Sequence, residues 1–433
     1  MISKLSHPLF SVKRRRTSIV VVASAVAMVV ALPGVALADF GAPVTLATGS
    51  TANPQIDMNV IGQATVVWER NDGTNDRVQA RRIAGDGSVG STKNLSPSGQ
   101  DANGPQVAMN GSGHGRAVWS VSDGTVNRIK TRTVAADGTL GSTKVLSAAG
   151  QNASDPQIDD EAALIPTAVV WERSDGTNTR IQARTIESDG DLGPIKTLSD
   201  AGKDASDPQV NVDTNSRVVV VWLRGDGTSR RVQARTIDSG GTLGTTKTLS
   251  AAGQVASGPQ VEAEAGQATI VWELGNRIQA RQLAGDGTLG PTNKLSPEGK
   301  DAGPPQIDVD ADGRSTVVWH VLSGDGDLRV QARTIDHLGA VGTTKTLTPS
   351  GQDAFNPTVG IHLFGHATIT WEVGTQGVDT EIQALRIEQN GTVGATETLS
   401  GTGVIAADPD VTGDSSDPPT VVWNSDAGIQ FAR

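Results

Sequence analysis

Eight tryptophans, Trp68, Trp119, Trp171, Trp222, Trp272, Trp319, Trp371 and Trp423, are the only ones in the chain, and they recur at intervals of 51, 52, 51, 50, 47, 52 and 52 residues. A marker held at a near-constant period means one supersecondary unit copied eight times. The first copy runs Pro54-Gln55-Ile56, a polar turn, Ala64-Thr65-Val66-Val67-Trp68-Glu69-Arg70, then Asn71-Asp72-Gly73-Thr74 and Arg77-Val78-Gln79-Ala80-Arg81. After Gly85-Asp86-Gly87 it reaches Lys93-Asn94-Leu95-Ser96. The apolar runs are short, rich in Val, Ile and Thr, and bounded by Asp-Gly, Gly-Asn or Pro, the pattern of strands joined by hairpins. Four such strands per repeat predict an all-β fold: an eight-bladed β-propeller of four-stranded blades.

The two ends of the chain predict how the ring closes. The eighth copy has its Trp423 strand and a strand around Ile429-Gln430-Phe431, but the chain stops at Arg433 before a fourth. Gly41-Ala42-Pro43-Val44-Thr45-Leu46 near the other end matches Gly90-Ser91-Thr92-Lys93-Asn94-Leu95. The N-terminal strand is therefore expected to complete the last blade and remove an exposed sheet edge.

Residues 1–38 read as a signal peptide. Lys13-Arg14-Arg15-Arg16 leads into a long apolar run, then Pro33-Gly34 and Ala36-Leu37-Ala38, a small-residue cleavage pattern that would leave a chain starting at Asp39. Residues 39–433 then form the propeller, secreted and extracellular, with no membrane insertion once the leader is removed. The chain has no Cys, so it has neither a lipoprotein anchor nor disulfides, and closure and packing between blades must stabilise it. A net charge of −11 argues against nucleic acid and anionic membranes as partners. Nothing in the pattern asks for a second subunit, and a monomer is expected.

In the fifth copy the two-residue turn Gly275-Asn276 places Trp272 opposite Gln279. Strand alternation then puts Val66, Trp68, Gln79 and Arg81 on one face of the first blade, and Val67, Glu69, Val78 and Ala80 on the other. Arg81 falls diagonal to Trp68, where a cation–π contact of about 0.5 to 2 kcal/mol is expected. Arg recurs there in six copies, with Leu385 in the seventh and Ala432 in the eighth. A residue needed in nearly every blade answers a packing problem that occurs eight times. The competing reading is a multivalent lectin, with sugars held between blades by an aromatic face, Arg and Glu. Its candidate residues are Trp68, Glu69 and Arg81; Trp171, Glu172 and Arg184; Trp272, Glu273 and Arg281; and Trp371 with Glu372. Glu follows Trp only in the odd copies, the even ones having Ser120, Leu223, His320 and Asn424, which suggests four stronger sites or assembly from blade pairs.

Acidic residues also recur at two positions near the axis: Asp57, Asp159, Glu262 and Asp308 at one, Glu161, Asp213, Glu264, Asp310 and Asp414 at the other. In a ring these would gather around the channel as a site for calcium. The loop Asp308-Val309-Asp310-Ala311-Asp312-Gly313 has the look of a calcium loop, but its twelfth position is Trp319 where a bidentate Glu is needed.

Enzyme readings fare worse. The chain has no Tyr to act as a sialidase nucleophile. The Ala-x-Asp-x-x-Thr-Gly motif of eight-bladed quinone-dependent dehydrogenases is missing, and His114, His320, His337, His362 and His366 are scattered. No catalytic residues are assigned, and a propeller hydrolase ranks behind the binding readings. Over residues 41–433 the chain resembles secreted bacterial proteins built of tandem propeller repeats, without the marks of WD40, kelch or sialidase blades. That resemblance implies a rigid extracellular scaffold presenting loops. The expected function is non-catalytic binding of a protein or cell-envelope glycan through the loop faces, the loops after each Trp and the connections around Gln100-Asp101 lying on one face.

Overall fold

The computed structural model describes residues 40–160, 166–362, 365–376, 378–401, 403–413 and 419–433. The signal segment, Glu161 and Asp414 lie outside the described residues.

Eight four-stranded antiparallel sheets follow one another along the chain as the blades of a propeller. Blade 1 consists of Thr51–Met58, the Trp strand Ala64–Asn71, Asp76–Ile83 and the short outer strand Lys93–Asn94, hydrogen-bonded in that order. The first strands of successive blades pack on one another, and that of blade 8 packs on that of blade 1, so the ring is closed. The closing blade is shared between the chain ends. Val44–Ala47 pairs with Gly428–Ala432, with Val44 opposite Phe431 and Thr45 opposite Gln430.

The strand register follows the alternation in the sequence. Trp68 lies opposite Gln79, and the same pairing recurs through Trp272 with Gln279 to Trp423 with Gln430, only blade 2 having Lys130 in the Gln place. Val66 and Trp68 face blade 8, packing with Leu46, Ile429 and Phe431. Val67, Val78, Ala80 and Leu95 face blade 2, around Trp119. A blade buried on both faces needs apolar residues on both, which is why each Trp strand reads as a nearly continuous Val-rich run.

A bulge opens the first strand of most blades, at the residue before its Pro. Asn53, Asp155, Asp207, Asn356 and Asp408 hold positive φ there, between 48 and 54°, residues that tolerate the left-handed region. Blade 6 departs from this because Pro304 occupies the position and its ring locks φ negative. Its first strand accordingly shortens to Gln306–Val309 and pairs without a register shift.

Candidate functional site: the seams between blades

All eight indoles are fully buried, each at 0 % exposure. Trp171, for example, packs into blade 2 against Val118, Ile129 and Leu146. An indole in that position is the wedge that seats one blade on the preceding one, and it presents no face to a ligand. Trp423 Nε1 donates to Gln430 Oε1 at 3.2 Å, whereas in blades 1, 3, 4 and 6 the indole N–H and the facing Gln oxygen are both buried without a hydrogen-bond partner.

The structure departs from the expected stacking of Arg81 on Trp68. The repeating Arg is instead a staple across the seam. Arg81 donates from Nε to Gly90 O in its own blade (2.5 Å) and from Nη1 to Leu46 O in blade 8 (2.6 Å). Arg184 reaches Gly193 O and, in blade 2, Leu146 O; Arg235 reaches Gly244 O and, in blade 3, Leu198 O; Arg281 reaches Gly290 O and, in blade 4, Leu249 O. In blades 1 to 5 and 7 this Leu heads a Leu-Ser pair after the outer strand, with Leu347-Thr348 in blade 6 and Leu46-Ala47 in blade 8. Its side chain fills the next seam, and the Ser hydroxyl accepts a backbone N–H of its own blade, as Ser199 Oγ does from Ile181 N.

The Glu after the Trp of blades 1, 3 and 7 is a second tether, pointing forward. Glu69 accepts from Gly104 N in blade 2 (2.7 Å), Glu172 from Asp207 N in blade 4 (2.9 Å), and Glu372 from Asp408 N in blade 8 (3.1 Å). In each case the donor is the bulge residue. Glu273 has no such donor, because the bulge position of blade 6 is Pro304, which lacks an N–H. Its carboxylate turns back to Ser257 Oγ at 3.0 Å in its own blade. The alternation seen in the sequence therefore joins blades 1 with 2, 3 with 4 and 7 with 8. Burial, with Asp155 and Asp207 nearby, pushes the Glu172 carboxyl up to about 7.

The axial acids do gather as expected. Asp57, Asp159, Glu262 and Asp308 line a central cavity of about 410 Å³, with Asn211 in the corresponding place of blade 4. They too tie blades together. Asp57 Oδ2 accepts from Met109 N (2.6 Å), Asp159 Oδ2 from Val212 N (2.6 Å) and Asp308 Oδ2 from Ile361 N (2.5 Å), each donor lying in the next blade. Asn211 accepts equivalently from Ala263 N and donates to Glu262 Oε2. Asp410, two positions earlier in the repeat where blade 1 has Gln55, accepts from Ile56 N and ties blade 8 to blade 1. Burial pushes the carboxyls of Asp57, Asp159 and Asp308 up to about 7, and that of Asp410 to about 6, although the N–H contacts pull the other way.

Asp310 lies elsewhere than the sequence places it. It sits in the first hairpin of blade 6, where Oδ1 accepts from Asp312 N and Arg314 N and Oδ2 pairs with Arg314 at 2.9 Å. Asp213 does the same with Arg217. The calcium-like loop is thus a hairpin turn closed by its own Asp. Among the described residues no three acidic or His side chains converge as a metal group.

Two surfaces remain. On the face at the Trp end, Asp101 accepts from Asn75 Nδ2 and Asp76 N, both at 3.1 Å, and so ties the loop after Trp68 to the connection into blade 2. Asp204 and Asp353 repeat that tie to Thr179 N and Leu328 N. The opposite face, built from the other two turns of each blade, carries the grooves between blades. They measure about 410 Å³ between blades 2 and 3, 360 Å³ between 4 and 5, 250 Å³ between 6 and 7 and 210 Å³ between 1 and 2. The outer-strand Lys spans this groove, Lys144 Nζ donating to Gly190 O of the next blade. Sequence reasoning missed Lys144 and Arg116 in the groove between blades 2 and 3. The available signal was Arg116 itself, three residues before a Trp where five blades have Thr.

No family profile matches the chain, and no curated protein does. Solved structures of propellers do match in fold. The WD40 domain of SCAP from fission yeast aligns at a TM-score of 0.54 with 9% identity, over 91% of this chain and 94% of that one. The BP39L lectin of Burkholderia pseudomallei aligns at 0.53 with 12% identity, over 80% and 98%. The β-propeller domain of the trilobed protease of Pyrococcus furiosus aligns at 0.51 with 8% identity, over 82% and 99%. At such identities the likeness is one of fold. A lectin, a WD40 domain and a domain of a protease share it, and function has to be argued from the site.

Proposed function

We propose that the chain is a secreted, non-catalytic binding scaffold that takes a protein or cell-envelope partner on the face at the Trp end. The observation that carries this reading is the division of labour between strands and loops. The residues that repeat in the strands, Trp, Arg and Glu, are consumed in the seams. The loops at the Trp end, which keep Asp-Gly-Thr in blades 1 to 4 and change in sequence and length from blade 5 on, are held firmly by side chains such as Asp101 and Asp204. Held loops on a closed ring lose little entropy on binding. The Lys13 to Ala38 pattern supports export, and the chain recovered from culture medium should then begin at Asp39.

The second reading, a multivalent lectin, is favoured by the grooves on the other face, and a lectin is among the proteins of similar fold. In that reading the sugar sits in the grooves and the buried indoles take no part. A glycan array with and without calcium, beside pull-downs from cell envelopes, separates the two. A blank array with one saturable envelope protein partner, lost on scrambling residues 71–76 and 225–229, supports the scaffold. Saturable binding to one sugar family, unaffected by those loop changes, replaces it with the lectin.

A further inference from the structure

One position of the repeat turns cationic in blade 2 alone. Three residues before the Trp, five blades carry Thr and two carry Ala168 and Val219; blade 2 carries Arg116. Arg116 stands opposite Thr133 and lines the groove between blades 2 and 3, whose volume of about 410 Å³ is in the range of small-ligand sites.

Of the other cations of this blade, Lys130 stands opposite Trp119 and outside the groove lining, and three more are engaged. Arg132 Nε donates to Gly141 O at 2.8 Å, Arg128 Nη2 to Ser147 O at 2.6 Å, and Lys144 to Gly190 O. Arg116 makes no hydrogen bond and no ion pair among the described residues, and its Nε is buried with no partner. Asp160, the carboxylate whose charge acts on it, is itself held by the hydroxyl of Thr167 at 2.9 Å. In the first hairpins of blades 4 and 6, by contrast, an acid one position further along the repeat pairs directly with an Arg of its own blade, Asp213 with Arg217 and Asp310 with Arg314. A partly desolvated guanidinium without partners costs stability. Threonine serves the seam at this position elsewhere, so Arg116 is explained by what enters the groove.

We propose that this groove binds an acidic saccharide, with the fork of Arg116 receiving the oxyanion, a carboxylate or a phosphate. A planar guanidinium matches either group through two parallel N–H donors. Thr133 and Ser142 bring hydroxyls to the lining, and Asp189 brings a carboxylate, partners for the remaining hydroxyls of a sugar ring. This site lies away from the loop face and stands independently of the scaffold reading.

The test is calorimetric titration of the purified protein and of Arg116→Thr with glucuronate, glucose 6-phosphate and glucose. Saturable binding of at least one acidic sugar is expected, about tenfold or more tighter than glucose, and Arg116→Thr should remove that preference. Its melting temperature should stay within a few degrees, because Thr is the residue of five sister blades. Which acidic sugar binds tells carboxylate from phosphate. The proposal falls if none of the three binds, if glucose binds as well as the acids, or if Arg116→Thr binds like the parent. A large drop in melting temperature would also overturn it by making Arg116 a seam residue. Arg116→Lys, which keeps the charge and loses the fork, should bind with intermediate affinity.

Discussion

Arg184 of blade 3 donates from Nη1 to the carbonyl oxygen of Leu146 in blade 2, 3.1 Å away, while its Nε holds Gly193 O of its own blade at 2.6 Å. One side chain thus fixes two backbones across a seam. Arg184→Ala removes both bonds and leaves two carbonyls to find water, a loss of about 1.5 to 3 kcal/mol. Arg184→Leu should cost less, since Leu385 fills the same position in blade 7 against Trp371. Denaturant midpoints of the two variants check this, and equal midpoints for parent and Arg184→Ala would refute the staple.

Replacing an indole should be harsher. Trp222 packs against Val170, Ile181 and Leu198 of blade 3, and Trp222→Ala leaves a cavity worth about 3 to 5 kcal/mol. Thermal melts should show a large drop. A variant of unchanged stability that had lost only ligand binding would return the Trp positions to the sugar-binding reading.

The closing strand offers a third test. Deleting residues 41–47 strips blade 8 of the strand that pairs with Gly428–Ala432, takes Leu46 out of the seam and removes the acceptor of Arg81. The shortened protein should melt well below the parent and self-associate through the bared edge in light scattering. An unchanged melt would show that the ring holds without it.

Stability should also depend on pH through the axis. Asp57, Asp159 and Asp308 hold their protons to about pH 7 when folded but only to about 3.8 when unfolded, so the folded chain binds more protons in between. Their contribution is complete below about pH 4 and is lost as the pH rises towards 7. Turn carboxylates such as Asp123 and Asp175, lowered to about 2 by backbone N–H donors, act oppositely and lose theirs only as the pH falls below about 4. Melting temperature should therefore be higher at pH 5 than at pH 8. Asp159→Asn should flatten the slope while keeping the tether, as Asn211 already does in blade 4. A melt that rises from pH 5 to pH 8 would contradict the assignment.

The fold was legible because period-2 alternation and a fixed Trp interval leave few alternatives, and the match of Gly41–Leu46 to Gly90–Leu95 disclosed the closure. Pattern also located Trp opposite Gln and the acids at the axis. It was silent on what a side chain meets across a seam, since alternation says which face a residue shares but not which foreign carbonyl or N–H comes near. Arg81 was therefore assigned to Trp68 when it belongs to Leu46 O, and Asp310 to the channel when it closes its own turn. Arg116 was visible as the single charged departure from Thr, yet only the groove and a guanidinium without a partner among the described residues give that departure meaning.

The pairing of Val44 with Phe431 has a consequence for biosynthesis. Val44–Ala47, made before all eight Trp strands, finds its partner only when Gly428–Ala432 has been made, so no earlier stage of synthesis contains a finished ring. Joining segments from opposite ends of a chain is a slow, non-local step. The blades can accumulate one by one, each seated on its predecessor by a Trp, but the molecule becomes edgeless only at the end. The chain can thus stay open, and threadable, for as long as these two strands are kept apart.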